Sequence, residues 1–156
     1  DKEEMPSDRR FNTAAGAGRR RCGRRGHIRR PAARRPAADH KAIDLAASLI
    51  YEARNPIILA GNGAIRKRAA KQLTQLAHNI GVGVVNTFMG KGAIPMDDEH
   101  CLYTMGLGMG DYNNLAFDTA DLVIACGYDL VEYAPKAWNR ANKSGKKIIH
   151  MGNKLF

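Results

Sequence analysis

The chain has 156 residues, 44% of them hydrophobic and 26% charged, with a net charge of +10. That length suits one domain with room for a real core, and no run approaches the roughly 20 apolar residues that span a bilayer, so no membrane partner is expected. Cys22, Cys101 and Cys126 are odd in number and widely spaced, with no C-x-x-C pair. Neither a disulfide framework nor a cysteine zinc site is expected, and with no secretory signal visible the expected location is cytoplasmic.

The charge is not spread evenly. Residues 1–37 hold 12 Lys/Arg and 4 Asp/Glu, whereas residues 38–156 hold 13 and 11, so the basic character belongs to the leader. Between Arg9 and Arg35 stand 11 arginines, no lysine and no acid, among mostly Ala and Gly. Such a stretch buries too little apolar surface to offset its ordering entropy, which predicts a disordered leader over 1–37 and a folded domain over 38–156. Clustered arginine suits a nucleic-acid arm, and residues 9–35 are the only segment with that potential, but Phe11 alone is available for stacking. A transit peptide would be Ser-rich and amphipathic, and this stretch is neither. Codons made only of G and C encode Ala, Gly, Pro and Arg, so a cloning or reading-frame accident is the third reading and the one the composition favours. The chain begins at Asp1, as a fragment or processed product would.

Beyond the leader, helices and strands alternate. Asp39 is placed to cap a helix running to about Arg54, with Ile43, Ala46, Ala47 and Ile50 spaced as one buried face. Asn55-Pro56 ends it, because the residue before proline avoids helical ψ. The apolar run 57–60 predicts the first strand. A helix over about 66–80 buries Ala69, Leu73, Leu76, Ala77 and Ile80, and Gly81 supplies a left-handed cap. A second strand is predicted over 82–87, then a long glycine-rich loop over 88–109. A third helix, about 110–120, presents Tyr112, Leu115, Ala116 and Thr119. Strands over 121–126 and 147–151 complete a count of four.

These strands are near-continuous apolar runs, the pattern of a parallel sheet covered on both faces. The predicted fold class is therefore α/β, a Rossmann-like parallel sheet with helices on both faces. Right-handed crossovers place every strand's C-terminal end on one edge, where open α/β sheets bind ligands. The Gly-x-Gly turn Gly61-Asn62-Gly63 follows the first strand, as in a phosphate-binding turn, although Arg66 stands where the full fingerprint has a third glycine. Asn86 and Thr87 end the second strand, and Gly127, Tyr128 and Asp129 follow the third. Lys91, between two glycines, can reach a phosphate or stand as a solvated loop charge. These nine residues are the candidate cofactor-binding set; the alternative is that the glycines only make tight turns.

Other constellations carry less. Gly110-Asp111-Tyr112 with Asn139 has the spacing of a metal–diphosphate motif, but Tyr112 occupies a position that needs glycine, and Asp111 reads better as a helix N-cap. No metal ligands and no catalytic residues are assigned. Asp129 and Glu132 flank Tyr128 without a legible base–nucleophile partner, and a local loop role is favoured. His100 beside Cys101 makes a poor nucleophile pair, because adjacent side chains rarely point together. Trp138 is expected to be packing or an interface anchor.

NTFMGKGAIPMDD at 86–98, DYNNLAFDTADLVIACGYDLVEY at 111–133 and KKIIHM at 146–151 resemble the central domain of acetolactate synthases, which are thiamine diphosphate-dependent. The resemblance covers roughly 31–151. Residues 127–139 are more similar to the catabolic-type subgroup than to the flavin-binding biosynthetic one, so FAD is not expected. The resemblance implies a parent reaction in which two molecules of pyruvate, or a related 2-oxo acid, give 2-acetolactate and carbon dioxide. It implies that thiamine diphosphate and Mg2+ are bound by flanking thiamine-binding domains, with the central domain as scaffold and a homo-oligomeric assembly. The chain alone is then expected to be inactive. At both ends it departs from the family pattern: residues 1–30 do not resemble a thiamine-binding domain, and 152–156 replace the family's continuation, so the sheet is expected to be incomplete at its C-terminus and prone to associate along an exposed strand. The alternative function is a stand-alone nucleotide- or RNA-binding module.

Overall fold

In a computed structural model, residues 38–66, 69–106, 112–140 and 146–152 are described. The leader over 1–37 and the Asp111 cap lie outside them. The described elements are α1 (His40–Glu52), β1 (Pro56–Ala60), α2 (Asn62–Arg66), α3 (Ala70–Ile80), β2 (Val84–Thr87), a 3-10 turn (Phe88–Gly90), β3 (Cys101–Met105), α4 (Asn113–Thr119), β4 (Leu122–Cys126), α5 (Pro135–Trp138) and β5 (Lys147–Met151). The strands form one all-parallel sheet in the order β3-β2-β1-β4-β5. This is the doubly wound order, in which the chain winds outward from β1 to one edge and then crosses back to build the other side.

The centre of the sheet explains itself. Ile57, Ile58, Leu59 and Ala60 of β1 and Leu122 to Cys126 of β4 are all buried, so side chains on both faces need cover. One face carries Ile58, Val84 and Ile124 under α2 and α3, with Ala64, Leu73 and Ala77 buried against them. The other carries Leu59, Val85 and Val123 under Phe117 of α4 and Trp138 of α5. Each fully buried Ile, Leu or Phe contributes roughly 1.5–3 kcal/mol relative to exposure.

Four expectations need correction. The segment 88–109 is not one loop: it contains β3, so among the described residues the sheet has five strands rather than four. Only the two ends of β3 are buried, as expected of an edge strand. Its register against β2 slips between Val84 and Asn86, and Tyr103 there has φ 61, a bulge that breaks the flat edge on which another chain could pair. The α4 face is also different: Tyr112 is 97% and Leu115 71% exposed, while Asn114 and Phe117 point inward. Helix α1 has no fully buried residue; Ala46, Leu49 and Ile50 pack on the core, whereas Ile43 is half exposed. Asp39 holds the N-cap position of α1 in extended conformation, without a side-chain cap bond. Gly81 caps α3 in the left-handed region, φ 64, and its N–H donates to the Ala77 carbonyl.

Asp121 ties the entry of β1 to that of β4. Its carboxylate accepts from the Arg54 N–H at 2.7 Å and the Asn55 N–H at 2.9 Å. The Arg54 bond first, then the Asn55 bond, holds its carboxyl below the usual carboxylate value, against the opposing effect of desolvation. A depressed folded pKa gives stability that is fully present above the unfolded value of about 3.9 and is lost as pH falls through the folded value. Wild type is therefore expected to lose more stability on acidification from about pH 5 than Asp121→Asn, which starts lower and has a flatter acid limb. Urea midpoints across that range measure this; parallel acid limbs would show that Asp121 carries no such linkage.

Candidate functional site

In a 3-2-1-4-5 sheet the winding reverses between β1 and β4, and ligands bind in the crevice beyond their C-terminal ends. Gly61, Asn62 and Gly63 leave β1 there, Asn86 and Thr87 end β2, and Gly127, Tyr128 and Asp129 leave β4. The fold thus brings three of the sequence-selected loops to one edge. Lys91 is exposed just past the 3-10 turn and joins none of the contacts below.

The crevice is closed by main chain. The Gly61 N–H donates to the Cys126 carbonyl at 2.9 Å, and the Gly63 N–H to the Gly127 carbonyl at 2.8 Å. A Cβ on Gly61 would lie 2.5 Å from Tyr128 Cα, and one on Gly63 2.7 Å from Gly127 Cα. These glycines let two loops touch each other.

The amide that opens α2 is also taken. The Asn62 N–H donates to the Glu132 carboxylate, at 3.0 Å to Oε1 and 3.1 Å to Oε2. The Thr87 hydroxyl donates to Glu132 Oε2 at 2.7 Å and accepts from the Gly90 N–H at 2.9 Å. Glu132 is therefore the acceptor on which the ends of β1 and β2 converge from the loop after β4. Nothing in the sequence announces this, because its partners lie 70 and 45 residues away. Asp129 has the local role: its carbonyl accepts from the Glu132 N–H at 2.9 Å, and its Oδ1 from the Val131 N–H at 3.2 Å.

Tyr128 anchors the same loop. Its hydroxyl donates to the Tyr133 carbonyl and accepts from Trp138 Nε1 at 3.2 Å. The two rings stand edge to face at 6.0 Å, and Phe117 lies 5.6 Å from Trp138. Burial pushes the Tyr128 phenol up. Trp138 is thus packed inside the domain, one of the two roles expected of it. Desolvation pushes the Cys126 thiol up to about 12, far from a working nucleophile. Cys101 is likewise buried, and the adjacent His100 ring packs instead against His78. The Asn86 side chain is fully buried, and its amide meets no protein partner among the described residues.

A diphosphate needs free backbone amides and positive charge. Here a carboxylate occupies the Asn62 amide and backbone fills the space beside the glycines, so a second anion would meet Glu132. The residues of this edge do not fit a thiamine diphosphate or nucleotide diphosphate group in this arrangement.

The strand order, the covered faces and the switch-point loops define a doubly wound α/β domain whose ligand edge is sealed by its own side chain. Residues 43–154 match the family model for the central domain of thiamine pyrophosphate enzymes, and the chain belongs to that family. It is 35% identical over 117 residues to a probable acetolactate synthase large subunit of Methanocaldococcus jannaschii, covering 70% of this chain and 18% of that protein. It is 40% identical over 118 residues to an acetolactate synthase of Mycobacterium bovis, covering 67% and 17%. Glyoxylate carboligase of Escherichia coli O157:H7 is 33% identical over 112 residues, covering 70% and 18%. The chain thus spans less than a fifth of the length of these relatives.

Proposed function

We propose that this domain is the scaffold of an acetolactate synthase-type enzyme, and that the chain alone has no turnover. In the complete enzyme two pyruvates would be joined to 2-acetolactate with loss of carbon dioxide. The observation that carries the reading is the family membership combined with a switch-point edge closed by Glu132. A central domain that spends its ligand edge on internal bonds supports its neighbours rather than holding the reactive cofactor. Thiamine diphosphate, which supplies the carbanion chemistry when bound, and its Mg2+ would be held by thiamine-binding domains outside this chain. Flavin is not expected here either, because Tyr128 and Glu132 are committed to the fold. Among the described residues no helix is long and apolar enough to cross a membrane; the proposed location is cytoplasmic. The folded domain is proposed to span 38–156, and nucleic-acid binding would be confined to residues 9–35.

The test is an acetolactate assay on the full chain with pyruvate, thiamine diphosphate and Mg2+. No product above a heat-killed control is expected, and cofactor-dependent turnover would overturn the scaffold reading.

We further propose self-association through β5, where Ile148 is half exposed and Lys147 and Met151 also face solvent. Among the described residues β5 is the last strand on its side of the sheet, and an edge strand with apolar side chains is a template for pairing with another chain. Sedimentation at micromolar concentration should show species larger than a monomer, and Ile148→Lys should reduce them. A sharp monomer in the wild type would remove this proposal and leave the scaffold reading intact.

A further inference from the structure

We propose that His78, Glu99 and His100 form a binding site for a divalent transition metal, Zn2+ being the best match. His78 lies in the last turn of α3, and Glu99 and His100 lie in the turn that leads into β3. The fold brings them together at the end of the sheet opposite the Glu132 edge. One ligand atom from each residue lies within 4.8 Å of the other two. His78 Nδ1 is 3.9 Å and His100 Nε2 4.0 Å from Glu99 Oε1. Around a tetrahedral zinc with bonds of 2.0–2.1 Å the ligands sit about 3.4 Å apart, so only small side-chain movements are needed. Those movements are available: the side chains of Glu99 and His78 are 78% and 42% exposed.

Asp98 makes the cluster more than a chance meeting. Its Oδ2 lies 2.9 Å from His78 Nε2, and its Oδ1 accepts from the His100 backbone N–H at 2.9 Å. With the proton on Nε2 donated to Asp98, His78 keeps the lone pair on Nδ1 and directs it toward Glu99. A carboxylate that holds the far nitrogen of a ligand histidine fixes its tautomer and raises its basicity. Asp98 is thus a positioning residue for His78 and for the turn that carries His100. Two imidazoles and one carboxylate are the donor set that suits Zn2+, and three protein ligands leave a fourth position for water or a further donor. Glu99 and His100 also line a groove bordered by the apolar side chains Ile50, Tyr51, Ile80 and Leu102.

The test uses the full chain freed of metal by a chelator. Zn2+ affinity is measured by competition with a chromophoric chelator, and Co2+ serves as spectroscopic probe. Wild type is expected to give visible Co2+ bands of four-coordinate geometry that Zn2+ displaces. The double variant His78→Ala/His100→Ala should lose them, while any metal held elsewhere in the chain remains as background. Asp98→Asn should keep the bands but weaken Zn2+ binding by about 10- to 100-fold, the usual effect of losing such a partner. Because the double variant could disturb packing, Glu99→Ala at an exposed position is the second probe, and it should also weaken Zn2+ binding while the circular dichroism spectrum stays native. Zn2+ affinity no tighter in wild type than in the double variant, or unchanged in Glu99→Ala, would overturn the site. Neither outcome bears on the scaffold function.

Discussion

Gly127→Ala is expected to remove a large share of the stability of the domain. Gly127 has φ 60, and a Cβ placed there would lie 2.3 Å from the Ala64 amide nitrogen and 2.8 Å from Gly63 Cα. The left-handed conformation costs an L-residue roughly 1–2 kcal/mol. The clash adds about 1–3 kcal/mol, because the atoms in the way are backbone and cannot swing aside. Together they give a loss of about 2–5 kcal/mol, a large share of a stability that is only about 5–15 kcal/mol in ordinary domains. Gly81→Ala is the internal control. Its φ is 64, almost the same, but nothing lies within 4 Å of the added Cβ. It should lose only the conformational part, about 1–2 kcal/mol. Urea unfolding followed by circular dichroism separates the two. Equal losses would mean that φ alone explains Gly127 and that the contact of the two loops is unimportant.

The parts of this structure that local chemistry dictates were legible in the sequence. Four β-branched apolar runs gave β1, β2, β4 and β5, and Gly81 marked the end of α3. What was missed depends on distant partners. β3 is an edge strand of mixed polarity whose pairing with β2 is set by a bulge at Tyr103, so neither a continuous apolar run nor clean alternation announces it. Helix α4 is turned so that Phe117 meets Trp138, a contact across 21 residues that helical periodicity alone cannot weigh against Leu115. The residues of the switch-point edge were found because glycine and strand ends have local signatures. Its central group, Glu132, was undervalued because an isolated acid beyond a strand looks like any solvated loop charge. The His78, Glu99 and His100 cluster has no helical or turn spacing, since it joins the last turn of one helix to a turn some 20 residues on.

Trp138→Ala is the second large effect expected, and its reach should extend to Glu132. Trp138 is the only tryptophan of the chain and is buried against Phe117 and Tyr128. Truncating a buried tryptophan costs about 3–5 kcal/mol. Trp138→Phe keeps a ring in the space and loses the 3.2 Å bond from Nε1 to the Tyr128 hydroxyl, a loss of about 1 kcal/mol. The segment from Tyr128 to Trp138 is fastened at its two ends by this aromatic group, and Glu132 projects from its middle to the Asn62 amide and the Thr87 hydroxyl. Once the aromatic end is released, Glu132 has no fixed position from which to hold those bonds. In Trp138→Ala the Asn62 amide should therefore exchange its hydrogen much faster than in wild type, although Trp138 does not touch it. Removing both side chains should cost less than the sum of Trp138→Ala and Glu132→Ala, because the first change already weakens what the second removes; residues in one network couple by about 0.5–3 kcal/mol. If the two losses add to within about 0.3–0.5 kcal/mol, the aromatic anchor and the carboxylate act independently, and the sealed edge does not rely on Trp138.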